Sequence, residues 1–333
     1  MRLVSYVDGS IERVGVILAE YVVDVGRAEL LIGRSPARTD TLKDALRVSR
    51  RWASPPGNMI ELLGRGEEYL HALDVITGGV AGALAEKSGG PDREVLSGLL
   101  KPLASTRLLA PVPRPGKIVC LGMNYADHAR EQGLEPPKQP LFFLKSGNTI
   151  SATGDPIILP PNSSQVDFEA ELAVVIGKRG RRIPLERAYE HVAGYMILND
   201  VSARDMQYSD RQWFRGKSCD TFAPCGPWMV TADELGDPHR LRISSSLNGQ
   251  PMQDSNTSNL IFKVDTLISY LSQSLTWEVG DIISTGTPPG VGVFRKPPVF
   301  LKPGDSVSIS IERLGTLTNP VVGSDAGPVG SAD

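Results

Sequence analysis

The sequence predicts an α+β fold, with a β-rich catalytic domain of mixed sheets following a small N-terminal α+β domain. Three observations carry this reading. Beyond residue 116 the apolar runs are mostly short and bounded by turn residues, as strands are. Helical patterns are few there, which argues against a doubly wound parallel sheet. A stiff, extended segment, Pro111 to Gly116 (PVPRPG), separates this region from what precedes it. The expected divisions are 1–110, 111–323 and a disordered tail, 324–333, reading SDAGPVGSAD.

A chain of 333 residues, 41% hydrophobic, can bury a large core and has the length of two domains. Its formal net charge of -3, without a basic patch, excludes nucleic acid as a partner. The chain contains nothing like a membrane span, so no membrane partner is expected. The opening MRLVSYVDGSIERVG lacks the charged head and long apolar core of a signal peptide, and a cytoplasmic location is expected. Three cysteines, Cys120, Cys219 and Cys225, show no CxxC spacing, and the four histidines are dispersed. Zinc and disulfide frameworks are therefore disfavoured, and any cation site is expected to be rich in oxygen.

Taken in order, residues 1–26 read as a meander of strands turning at Asp8-Gly9 and near Ala19-Glu20. Helical spacing follows over Thr39 to Trp52, capped by Thr39 or Asp40, and over Asn58 to Leu73, capped by Asn58. Ala83 to Asp92 reads as a loop. Strands are expected at Lys117–Leu121, Leu141–Leu144, Ile157–Leu159, Val166–Ile176, Val192–Leu198, Asp281–Ser284 and Ser306–Glu312. Pro184–His191 and Phe262–Ser272 read as helical. Asn248-Gly249 marks a tight hairpin between Leu241–Leu247 and Met252–Asp254.

Candidate chemistry concentrates between Gly122 and Gly292. Alternation over Val166, Phe168, Ala170, Leu172, Val174 and Ile176 puts Asp167, Glu169 and Glu171 on the opposite face of a strand. Side chains two apart on a strand stand ~6.6 Å from one another, so Glu169 and Glu171 can lean toward one cation. Three like charges in a row repel unless something positive neutralises them. Asp200, at the end of the next apolar run, supplies a third hard oxygen. Gly122–Gly133 reads as a two-turn helix, with Asn124 as its cap, on which His128 and Glu131 are neighbours at i and i+3. A carboxylate beside an imidazole fixes its tautomer and raises its basicity, as a water-activating base requires. So short a helix is marginal in water, which suits a lid. Lys217, after Gly216, has room to approach an oxyanion. The run Gly286 to Gly292 lacks the lysine and helix of a phosphate loop, which excludes a nucleotide site, but its amides and Thr287 can receive a substrate carboxylate.

Together, NYADHARE, the spacing of Glu169, Glu171 and Asp200, NDVSARDMQ, GKSCDTFAPCGPW, LNGQPMQDSNT and TWEVGDIISTGTPPGVG resemble the fumarylacetoacetate hydrolase family, over about Lys117 to Val322. The resemblance implies a β-rich catalytic domain of the β-sandwich roll type, assembled as a homodimer. It implies Mg²⁺, with Mn²⁺ or Ca²⁺ as alternatives, held by Glu169, Glu171 and Asp200. His128 and Glu131 would form a water-activating dyad with Lys217 as the third catalytic group. Asn124, Tyr125, Arg204, Gln207 and Thr287 would bind substrate. Cys219, Cys225 and Trp277 depart from the residues usual at their positions, which bears on pocket shape.

The implied activity is metal-dependent hydrolysis of a carbon–carbon bond in a 1,3-diketo acid, an acylpyruvate or a fumarylacetoacetate-like compound, through a stabilised enolate. The alternative is a decarboxylase, or an isomerase or tautomerase, of a 2-keto or 2-hydroxydienoate dicarboxylic acid, since the same enolate arises without attacking water. From another class, a non-catalytic metabolite-binding module is disfavoured by retention of every putative ligand and of the dyad.

Overall fold

The computed structural model describes residues 1–34, 40–85 and 99–325. The chain divides into two compact units, Met1–Val112 and Pro113–Asp333. Both are mixtures of strand and helix, and the larger is the richer in strand.

In the first unit, strands β1 (Arg2–Asp8), β2 (Ile11–Leu18), β3 (Tyr21–Asp24) and β4 (Leu100–Pro102) pair antiparallel in that order. Among the described residues, helices spanning Val25–Arg34, Asp40–Ser49, Met59–Gly64 and Glu67–Ala85 follow β3. Val23, Ala28, Leu46, Ile76 and Val80 are among the residues that close their core. Asn58 caps as expected, its side chain accepting from the Glu61 amide. The single helix expected over Asn58–Leu73 is broken instead at Gly66, which takes the left-handed φ of +80°. The helix from Glu67 also runs through Ala85, into the expected loop; the rest of that loop, the alternative cap Thr39 and the tail beyond residue 325 lie outside the described residues.

The second unit holds a sheet ordered β13-β11-β10-β16-β5-β6, made of Ala223–Thr231, Val192–Asn199, Ala170–Ile176, Ile282–Ser284, Ile118–Gly122 and Leu141–Lys145. All neighbours are antiparallel except β16 and β5, and a short strand β7 (Ile150–Ser151) joins β13 in parallel. A second sheet runs β15-β14-β17-β18-β8, made of Gln250–Asn256, Arg242–Leu247, Ser306–Ile311, Gly315–Val322 and Ile157–Ile158. The Asn248-Gly249 hairpin is present, with both residues at positive φ. A two-stranded ribbon pairs β9 (Val166–Asp167) with β12 (Ser202–Ala203). One apolar core, including Phe168, Leu172, Tyr195, Ile243, Leu267 and Trp277, fills this unit. Every residue of β10 is buried, so neither face of that strand is wet. The helical pattern at Pro184–His191 is a 3₁₀ helix over Leu185–His191, and that at Phe262–Ser272 begins at Val264. No helix among the described residues is long and apolar enough to cross a membrane.

Candidate active site

The site forms where β10 and β11 end side by side, with Ala170 opposite Asn199. The strand expected over Val166–Ile176 is interrupted between Asp167 and Ala170, and the Asn199 side chain replaces the missing ladder bond by accepting from the Glu169 amide at 3.0 Å. The Asp200 amide donates to the Glu169 carbonyl at 2.9 Å. These bonds bring together Glu169, Glu171 and Asp200, each offering a carboxylate oxygen within 4.8 Å of the others. All three are buried. Asp167 does not join them. Its carboxylate accepts from the Gly292 and Val293 amides and from Arg204, so the shared acidic face expected from alternation ends at Glu169.

Buried carboxylates need positive partners, and three cations supply them. The Arg204 guanidinium bridges Asp167 at 2.8 Å and Glu169 at 2.6 Å. Lys217 Nζ donates to Glu169 at 2.5 Å and Asp200 at 2.7 Å, and lies 4.8 Å from the centre of the Phe143 ring. Lys145 Nζ donates to the other oxygen of Asp200 at 2.6 Å. Lys145 escaped the sequence reading; a lysine ending the apolar strand LFFLK was the available signal. Four carboxylates face three cations, and the ion pairs of those cations go to Asp167, Glu169 and Asp200 and not to Glu171. Burial, then repulsion from Asp200 and Glu169, raises the Glu171 carboxyl well above the usual range. Burial opposes ionisation of Glu169 too, but Arg204 and Lys217 hold it well below that range. For Lys217, burial is more than offset by Asp200 and Glu169, which raise it. Three hard carboxylate oxygens this close together fit a divalent cation.

Facing this wall is the helix Ala126–Glu131. His128 Nδ1 lies 2.9 Å from Glu131 Oε2, so the predicted pair is formed. Glu131 Oε1 also accepts from the Gly290 amide at 3.0 Å. A cavity of about 120 Å³ lies between the two walls, lined by His128, Glu169, Glu171, Arg204, Gln207 and Lys217. Thr287 and the apolar Phe143, Trp213 and Phe294 complete its polar and apolar surfaces. Asp200 is fully buried and is not part of the cavity wall.

Several expectations are corrected here. Asn124 does not cap the helix: its amide donates to the Phe262 and Thr285 carbonyls and its oxygen accepts from the Phe262 amide. It clamps two loops and, like Tyr125, lies outside the cavity wall. The Tyr125 hydroxyl is buried and has no hydrogen-bond partner among the described residues. Three amides of the glycine-rich run, those of Gly286, Gly290 and Gly292, are already paired with acids. Gly286, at φ +99°, donates to Glu171 at 2.9 Å, and Gly290, also at φ +99°, serves Glu131. Positive φ is what turns those amides toward the acids. The Thr287 hydroxyl donates to the Ala170 carbonyl and accepts from Gln253, so it touches the cavity but is already paired.

A mixed-sheet scaffold carrying three buried carboxylates that could hold a divalent cation, opposite a histidine–carboxylate pair, is the architecture of an enzyme site. The chain belongs to the fumarylacetoacetate hydrolase family: the model for "Fumarylacetoacetate (FAA) hydrolase C-terminal" matches residues 117–322. It is 49% identical to oxaloacetate tautomerase FAHD2A, mitochondrial, of Bos taurus, over 80% of each chain. It is 43% identical to oxaloacetate tautomerase YisK of Bacillus subtilis, over 80% of this chain and 87% of that one. Among solved structures, maleylpyruvate hydrolase from Sphingobium sp. SYK-6, in complex with manganese(II) and pyruvate, aligns with a TM-score of 0.68 at 31% identity, covering 97% of this chain and 99% of that one.

Proposed function

We propose that this protein is a divalent-metal-dependent tautomerase of a short 2-keto dicarboxylic acid of the oxaloacetate class. The observation that carries it is the 49% identity to an oxaloacetate tautomerase over four-fifths of both chains. This favours the alternative drawn from the sequence over hydrolysis of a 1,3-diketo acid. Tautomerisation needs only proton transfer, and the cavity supplies a base and positive groups.

Glu169, Glu171 and Asp200 would hold Mg²⁺ or Mn²⁺, which suit an all-oxygen donor set. When bound, the cation supplies a Lewis acid toward the carboxylate and 2-keto oxygens and so acidifies the adjacent C–H. Arg204 and Lys217 bring positive charge to the same wall, and Gln207, whose oxygen accepts from Arg204 at 3.0 Å, has its amide nitrogen available to a substrate oxygen. His128 Nε2 accepts the proton from C3 of the keto form. The C3–H pair becomes the C2–C3 double bond, the carbonyl pair moves to oxygen, and that oxygen takes up the proton that His128 received, which returns the imidazole to its starting state. No water is consumed. Glu131 holds the imidazole through Nδ1 during this exchange.

The test follows enol-to-keto conversion of oxaloacetate by the ultraviolet absorbance of the enol, after chelation and after adding Mg²⁺ or Mn²⁺, in parallel with pyruvate release from acylpyruvates. Metal-dependent acceleration of the first is expected. Acylpyruvate hydrolysis without accelerated enol–keto conversion would overturn the proposal in favour of the hydrolase.

A further inference from the structure

The cavity wall changes character with distance from the acids. Lys217 Nζ donates to Glu169 and Asp200 and lies 4.8 Å from the centre of the Phe143 ring. Phe143 in turn meets Trp213 edge to face, with ring centres 5.3 Å apart and planes at 64°. All three side chains line the cavity, so its wall runs from the carboxylates through an ammonium group to two aromatic rings. Trp213 is the outer step: it is partly exposed, whereas Lys217 is buried.

The indole is a fixed obstacle. Its far edge lies against Gly122, where a Cβ would come 2.9 Å from Trp213 Cζ3 and 3.2 Å from Leu141 Cδ2, so the absence of a side chain at 122 is what lets the ring lie there. The Trp213 backbone opens the short helix Phe214–Lys217, and its carbonyl accepts from the Lys217 amide at 3.0 Å. That helix is seated through Gly216, where a Cβ would stand 2.7 Å from the Gln207 amide nitrogen and 2.8 Å from the Ala203 carbonyl oxygen. Backbone packed this closely does not yield to a ligand, so helix and indole keep their place. The space they leave is about 120 Å³, well below the ~300–1,000 Å³ of pockets that take drug-sized ligands.

We propose that Trp213 is a specificity-determining residue that limits the length of the 2-keto acid the cavity admits, by closing it at the end away from Glu169, Glu171 and Asp200. The inference rests on the proposed function in placing the 2-keto acid group at those carboxylates. A short chain ends before the indole, and each further methylene presses on it. Pyruvate, 2-oxoglutarate and 2-oxoadipate share that group, and the last two differ by one methylene. In calorimetric titrations of the Mg²⁺-loaded wild type, affinity is expected to fall along this series, by at least about 10-fold for the final methylene, the lower worth of one methylene in a fitted pocket. Trp213→Ala should remove that final fall. Trp213→Phe keeps an aromatic ring, guards against misfolding of the first variant, and should reduce it. A wild type that binds 2-oxoglutarate and 2-oxoadipate equally or binds none of the three acids, or a final fall undiminished in the folded variants, would overturn the inference. The readout is binding and not turnover, so a length limit without accelerated enol–keto conversion would remove the tautomerase reading and leave the role of Trp213 in place.

Discussion

The two walls of the cavity are built differently. The acidic wall sits at the ends of paired strands, and its carboxylates are locked by Lys145, Arg204, Lys217, Ser284 and backbone amides. The opposite wall is a six-residue helix, too short to be stable by its own hydrogen bonds. It is pinned from outside, by Asp127 to Ser255 and Asn259 and by Glu131 to Gly290. Groups that must keep a fixed charge arrangement stand on the rigid part. His128, the proposed proton-transferring group, stands on the part held by hydrogen bonds at Asp127 and Glu131. This division matches the general demand that a site be preorganised yet admit its substrate.

The largest effect should come from the acidic wall, and it should separate two residues that the sequence treats alike. Glu171 accepts from Ser284 and Gly286 and pairs with no cation, so Glu171→Gln should lose at least about 10²- to 10³-fold in activity, as removal of an electrostatic partner in a site does, with little change in melting temperature. Asp200 holds two buried ammonium groups, and Asp200→Ala should also lose about 3–5 kcal/mol of stability. The simple expectation that removing a ligand leaves the fold untouched therefore applies to the first residue and not to the second. Thermal melts of the two variants would break this distinction by coinciding.

That contrast shows what a sequence can carry. The i, i+2 spacing of Glu169 and Glu171, and the i, i+3 spacing of His128 and Glu131, were legible because side chains at these separations become neighbours through local geometry alone. The position of Asp200 was legible because it ends the adjoining apolar strand. Lys145, 55 residues from Asp200, was not, since only the packing of β6 near that strand end brings them together. The roles of Asn124 and of the Gly286–Gly292 amides were misjudged for the same reason: their partners, Thr285, Phe262, Glu171 and Glu131, are distant in sequence. The mixed sheets were legible as strands, but the order β13-β11-β10-β16-β5-β6 was not, because register and pairing depend on long-range contacts.

On the helical wall a smaller loss is expected. His128→Gln should lower kcat by ~10²- to 10⁴-fold, the usual worth of a general base. Glu131→Gln should cost a similar factor, and the double variant little more, because the two residues act as a unit. Neither should disturb the acidic wall, so divalent-cation affinity, measured by titration calorimetry, should match the wild type. A change in cation affinity comparable to that of Glu171→Gln would show that the walls are not independent.

The smallest effect tests the pins themselves. Ser255 Oγ donates to Asp127 Oδ2 at 2.5 Å, and Asn259 Nδ2 donates to the same oxygen at 3.0 Å. Ser255→Ala removes one of these bonds and leaves the other, and neither serine nor asparagine lines the cavity. A single hydrogen bond contributes about 1 kcal/mol net, so the pinned state of the helix should be favoured about five-fold less. Amides of residues 126–131 should exchange with solvent faster by that factor, while those of β10 and β11 keep their protection. If catalysis requires the pinned helix, kcat/KM should fall by no more than the same five-fold. Unchanged exchange at 126–131 would mean that Asn259 and Gly290 suffice to hold the helix, and the contrast between a locked wall and a lightly pinned one would have to be abandoned.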